Sequence, residues 1–418
     1  MIKQGIVFRV SVAAFVSAAV LLLLISVGVG AAENTSYFQN GNSVRVEAEA
    51  ALSSATEWLV SVHQNEDGGY TSFSLGANSG PSDIGGTVDA MLALVSAGAE
   101  FGSPLNYLGE NIEQTSQYAE IDGSTAGKLI LSIAAAGEDP GDFMGRDFVI
   151  NLTGHLSPTG QYGVTTAFNQ SLAILALVAA GETVPEIAFE FLLGLQESAG
   201  DLAGSWSDGF GTDGNADSTA LALMALANSD NPAAADAVDS AKEYLARSQL
   251  PSGGWEYGLG YGENANSTAL VLQALGTTDE DIGSPESQWV QSGVTPLAAL
   301  LSWQGDSGAF QADFGEGRFD DFFSTVQSVP AIASLVDSEV LIFAPALAAD
   351  TNSEEEAPIE TAPTIEANEQ FEDTSTATLE ENVDESEASS GGFSLCPSAF
   401  ALTFLAGIVF VVPRRRRR

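Results

Sequence analysis

The feature that most constrains this chain is internal repetition. Residues 48–340 recur with a period of about 40–55 residues, which marks an array of one supersecondary unit. Three stretches share a Gln, three residues, a Gly, one residue and an aromatic: "QNEDGGY" (Gln64–Tyr70), "QLPSGGW" (Gln249–Trp255) and "QGDSGAF" (Gln304–Phe310). "LSPTGQY" (Leu156–Tyr162) keeps the Gly and aromatic without the Gln, and Gln196 and Trp206 are separated by an insertion. An amphipathic helix precedes each motif, as in "AKEYLARSQ", and an almost wholly apolar helix follows it, as in "STALALMALA". Apolar residues on every face suit an inner, fully packed helix, and amphipathic ones an outer helix. Ser or Thr is expected to cap the inner helices by accepting a bond from a free first-turn amide.

Six hairpins follow from this pattern: 48–100, 104–140, 146–184, 185–232, 235–284 and 286–340. Six inner and six outer helices close into an all-α, α6/α6 toroid spanning 48–342, with no exposed terminal repeat. The Gln-Gly-aromatic motif and the Ser-Thr-Ala helix start resemble the repeat of squalene and terpenoid cyclases and of protein prenyltransferase β-subunits. The same toroid is used by cobalamin carriers of the intrinsic-factor type and by thioester domains of complement-like proteins. The resemblance speaks to fold more than to activity, since one fold hosts many functions.

The family's chemistry is only partly matched. An Asp-x-Asp-Asp acid is absent, and the nearest run is Asp320-Asp321 among Phe319, Phe322 and Phe323. A carboxyl among aromatics has a raised pKa and can serve as an acid, while a carboxylate at a helix start is also favoured by the dipole. The resemblance to prenyltransferases implies zinc held by Asp, Cys and His with basic residues for a diphosphate. Here Cys396 is the single cysteine, and His63 and His155 are the only histidines. Each histidine reads as a surface or loop residue. A complement-like Cys-Gly-Glu-Gln run is missing. The pattern implies no cofactor. A polysaccharide lyase or glycosidase on the same toroid is a third possibility, although Arg is scarce.

"DGNADS" sets Asp213, Asn215 and Asp217 at alternate positions, as in the first half of an EF-hand loop. Ser218 and Met224 stand where that loop needs Gly and Glu, which excludes the full motif. Asp217 and its counterpart Asn266 read as helix-start residues, with a calcium site as the alternative. If all inner helices start at one end of the barrel, that end gathers helix dipoles, polar side chains and the aromatics of the Gly-rich loops. Tyr70, Tyr162, Trp206, Phe210, Tyr257, Tyr261 and Phe314, with Asp217 and Asn266, are the expected ligand-binding residues. Trp255 and Phe310 are expected to staple neighbouring hairpins. Such a lining suits a bulky apolar or planar ligand, isoprenoid or corrinoid, or a cell-surface partner. Two functions follow: non-catalytic binding, or a terpenoid-cyclase-type reaction with Asp320 or Asp321 as the acid.

Charge and the chain ends fix the expected setting. The net charge is −43, and only six basic side chains fall between residues 33 and 392. That field repels nucleic acid and anionic headgroups. Residues 1–32 read as a signal peptide: Lys3 and Arg9, an apolar stretch, then Gly30-Ala31-Ala32, with cleavage after Ala32. Residues 33–47 form a lead-in. Residues 343–392 read as an acidic, solvated linker. Residues 393–418 comprise an apolar run of membrane-spanning length and five terminal arginines, placed inside by the positive-inside rule. This ending resembles the sorting signals of prokaryotic surface proteins, with Gly392 and Cys396 in the place of the motif read by a sorting peptidase.

Overall fold

The computed structural model describes residues 35–72, 80–163, 166–209, 214–258, 260–278 and 280–336. The signal peptide, the linker and the C-terminal membrane segment lie outside these residues, as do Ala32, Phe210, Asp213, Gly392 and Cys396. No helix among the described residues is long and apolar enough to cross a membrane. Two compact units are distinguished, Met1–Val44 and Arg45–Arg418, and the repeats belong to the second.

Six helices form the inner layer: α2 (Ile84–Ser96), α5 (Gly123–Ala135), α7 (Ala167–Ala179), α9 (Ala216–Leu226), α11 (Ala265–Gly276) and α13 (Phe322–Val336). Each packs on the next, and α13 packs back on α2, so the ring is closed. Outside them run the part of α1 (Thr35–Trp58) from Arg45 onward, extended by a π-helical turn at Leu59–His63, then α3 (Gly102–Glu110), α4 (Ile112–Ala119), α6 (Phe148–Gly154), α8 (Glu186–Leu193), α10 (Pro232–Ser248) and α12 (Pro296–Leu301). The expected toroid is therefore present. Two details differ from expectation: the outer helix of the second repeat is split into α3 and α4, and a short antiparallel pair, β1 (Gln311–Ala312) and β2 (Phe319–Asp320), precedes α13.

The shared residues maintain this ring. Gln64, Gln196, Gln249 and Gln304 each donate Nε2 to the carbonyl of their motif glycine, at 2.8–3.1 Å. Three of them also donate across to the following hairpin, at Ala237, Trp289 and Ala51. The last of these joins repeat six to repeat one. In the third repeat, which lacks the motif Gln, Gln170 of inner helix α7 substitutes for it. Its Nε2 reaches Gly160 O at 2.8 Å and Ala188 O at 2.9 Å, and its Oε1 accepts from Tyr162 N.

The aromatic of each motif is tied in a second way. Its N–H donates to a Thr hydroxyl one turn into the inner helix, as in Tyr70 to Thr87, Trp206 to Thr219, Trp255 to Thr268 and Phe310 to Thr325, at 2.9–3.1 Å. Its carbonyl accepts from the N–H of the helix cap, at Asp83, Asn215, Asn264 and Asp321. This corrects the expected role of Ser-Thr at these four helices, where the caps are the Asp and Asn residues four positions before the Thr, whereas Thr166 caps α7 through its hydroxyl. The Oδ1 atoms of Asp83, Asn215 and Asn264 and the Oδ2 of Asp321 hold the free first-turn amides at 2.7–2.8 Å. A carboxylate or amide reaches a first-turn N–H directly, which frees the Thr hydroxyl to join layers instead. Changing Thr219 to Val strands the Trp206 N–H in the core, and urea unfolding is expected to show a loss of about 1–3 kcal/mol.

Candidate functional site

The cap and the residue four positions after it, a Thr in four of the six, orient each inner helix. The Thr four residues after the cap faces outward, toward the aromatic loop. A helix turns about 100° per residue, so the second and sixth residues after the cap point the opposite way, into the lumen. In chain order these pairs are Gly85 and Asp89, Ser124 and Lys128, Phe168 and Leu172, Asp217 and Leu221, Asn266 and Leu270, and Phe323 and Gln327. The inner helices are otherwise packed over their first turns, yet Ser124, Phe168, Asp217, Asn266 and Phe323 remain partly open, as do Asp89, Lys128 and Gln327. Leu172, Leu221 and Leu270 complete an apolar wall.

Polar groups meet between neighbouring helices. Ser324 Oγ donates to Asn266 Oδ1, and Asn266 Nδ2 donates to Gln327 Oε1, both at 2.8 Å. Lys128 Nζ lies 2.5 Å from Asp89 Oδ1, with 24% and 12% of the two side chains exposed. Burial pushes the Asp89 carboxyl up from its ordinary range, and the Lys128 ammonium partly offsets this. On the α9–α11 side the lumen-facing carboxyl is Asp217. Its Oδ1 is enclosed and has no hydrogen-bond partner among the described residues. Burial raises its pKa to about 6, with the Asp208 charge adding to the rise and the Ser267 hydroxyl opposing it. The hydroxyl of Ser218 on α9 is likewise buried without a partner among the described residues.

The loops around this mouth carry the remaining expected residues. Tyr261 and Phe314 are each 58% exposed at loop tips. In these loops Glu256 Oε2 accepts from Gly260 and Gly262 N–H, and Asp313 Oδ1 from Gly315 and Gly317 N–H. Tyr257 packs edge-on against Tyr261 and accepts through its carbonyl from Ala216 N, beside Asp217. The Arg318 guanidinium lies 3.8 Å over Trp303, whose Nε1 donates to Glu263, joining the loops of repeats five and six.

Other expected residues are elsewhere. Tyr70, Tyr162 and Trp206 are fully buried between layers, as are Trp255 and Phe310. All five are staples, and Trp206 and Trp255 also donate Nε1 to Leu192 O and Leu245 O. Such a side chain hides about 150–250 Å², on the order of 4–6 kcal/mol before ordering costs. Sequence spacing alone did not separate these buried motif aromatics from the loop-tip ones. Asp321 is the α13 cap, and Asp320 accepts from Gln311 Nε2 in the β1–β2 pair. Asn215 uses Oδ1 to cap α9, accepting from Ser218 N at 2.8 Å. Among the described residues no three His, Cys, Asp or Glu side chains converge as metal ligands. His63 is buried, not on the surface. It stacks on Trp58 at 5.0 Å and on Phe322 at 4.5 Å, at the seam between repeats one and six. Asp89, Lys128 and Gln327 escaped the sequence reading, although their spacing of four from Gly85, Ser124 and Phe323 was the available signal.

No family model and no curated protein matches the chain. Solved structures do. A variant of the type II terpene cyclase MstE from Scytonema, in complex with geranylgeranyl dihydroxybenzoate, superposes with a TM-score of 0.51 at 16% identity, over 72% of this chain and 99% of that one. A protein from Actinoplanes gives 0.51 at 19% identity, over 69% and 99%. The fold is a terpene-cyclase-like α/α toroid. At these identities the likeness carries the fold and no residue roles.

Proposed function

We propose that this protein binds a bulky, largely apolar molecule of isoprenoid type in the lumen, at the end where the inner helices start. The supporting observation is the partly open face formed by the second and sixth residues after each cap. Its open members are Phe168 and Phe323 with a few hydrogen-bonding groups, backed by the buried Leu172, Leu221 and Leu270, the composition of a small-molecule site. Tyr257, Tyr261 and Phe314 form the rim. The chain ends favour a protein held outside the cytoplasmic membrane by its C-terminal segment. Native mass spectrometry of the full chain after exposure to squalene, cobalamin or calcium tests this. A squalene adduct at one-to-one stoichiometry is the expected result, and its absence, or a cobalamin or calcium adduct instead, overturns the assignment.

A second reading is catalytic, and Asp217 favours it over the loop aspartates. Asp320 and Asp321 are engaged in structural hydrogen bonds, whereas the enclosed Oδ1 of Asp217 has none among the described residues. With a pKa of about 6, its carboxyl is protonated in acid, and roughly one-tenth of it still holds a proton at pH 7. It could deliver that proton to an alkene carbon or epoxide oxygen of the bound ligand.

A further inference from the structure

The repeat supplies its own control for the lumen. At the sixth position after the cap, three consecutive inner helices carry leucine: Leu172, Leu221 and Leu270. The neighbouring pair α2 and α5 instead carry Asp89 and Lys128, bonded at 2.5 Å. A partly buried ion pair is a poor means of stabilising a fold, because desolvation of both ions cancels much of their attraction. Leucines at these positions would serve packing at least as well. Lys128 is also the single basic residue on the described inner helices, in a chain of net charge −43. Its ammonium has three donors, and among the described residues Asp89 is its one ion-pair partner. Gly85 lies one turn toward the helix start on the same face as Asp89.

Resting on the lumen reading above, we propose that Lys128, oriented by Asp89, anchors a neutral oxygen function of the ligand, a carbonyl or hydroxyl, and that the lumen turns anions away. A neutral acceptor satisfies the remaining N–H donors without adding charge. A carboxylate or phosphate would instead meet Asp89 and the acidic field of a chain of net charge −43, with one already-paired cation to offset them.

The test uses one pyrene-labelled alkyl chain ended in three ways, as a hydrocarbon, a methyl ketone and a carboxylate, titrated into the full chain by fluorescence. The ketone is expected to bind about tenfold tighter than the hydrocarbon, the worth of one hydrogen bond to a charged donor, and the carboxylate to bind weakest. The double variant Asp89→Leu/Lys128→Leu, which copies the other repeats, should melt no lower than the parent and bind ketone and hydrocarbon alike. Should that variant fail to fold, Asp89→Asn/Lys128→Met gives the same comparison. Equal binding of ketone and hydrocarbon, preference for the carboxylate, or a ketone preference that survives in a folded double variant each overturns the proposal. A tie with clear binding sinks this inference alone, while no binding of any chain sinks the lumen reading with it.

Discussion

Asp217→Asn raises the stability of the protein above neutral pH and leaves it unchanged in acid. The folded state lifts this carboxyl from 3.8 to about 6. A carboxyl raised on folding contributes most where it is protonated in both states. Its contribution is therefore full below about pH 4 and is lost as the pH rises toward 6. A rise of that size sets a ceiling of about 3 kcal/mol, and the open edge of the side chain lowers the expected gain to about 1–2 kcal/mol. Asparagine cannot ionise, so the variant avoids this penalty. Melting curves at acidic and mildly alkaline pH should converge in acid and separate by roughly 2–6 °C in base. Convergence at both ends would mean that Asp217 is solvated normally. A residue that destabilises the fold and is retained in a lumen is a functional candidate. The same variant separates the two readings: if Asp217 only lines the site, ligand affinity changes less than about threefold, and if it is an acid, binding persists while turnover is lost.

Gly308→Ala is expected to be the more damaging change. Gly308 sits at φ +94°, where an L side chain is strained, and a Cβ there would lie 2.5 Å from Ser54 O. Ser54 belongs to the outer helix of repeat one, so the clash falls on the seam that closes the ring. Gly160 and Gly204 make the same approach to Ile187 O and Ser240 O, which shows that this is the general join between hairpins. Backbone strain alone costs on the order of 1–3 kcal/mol. Relief of the overlap must shift α1 or break the Gln304 bond to Ala51, so a total near 3 kcal/mol or more is expected from urea unfolding, as an order of magnitude of about one strain and one lost bond together. An effect below about 1 kcal/mol, the size of one ordinary hydrogen bond, would show that the seam is not a tight join.

The candidate site was legible only in outline. Asp217 and Asn266 were visible because two repeats nearly copy each other and differ there in charge. Their expected role as helix starters belongs to Asn215 and Asn264, since capping depends on which side chain folds back onto the first-turn amides. Asp89 and Lys128 were not visible, because their adjacency arises between helices 39 residues apart. Gln170 was equally hidden: it replaces a residue missing from its own repeat by reaching from the other layer.

By itself the sequence determined the repeat, the number of hairpins and which helix of each pair is inner, because these follow from periodicity and from how apolar each helix is. It also determined that glycine must stand at the joins. Only the tertiary structure decided which aromatics are staples and which are rim, and which polar residues face the lumen. Those outcomes depend on helix rotation and on neighbours distant in the chain, and one residue of rotation, about 100°, carries a side chain from the core to the cavity.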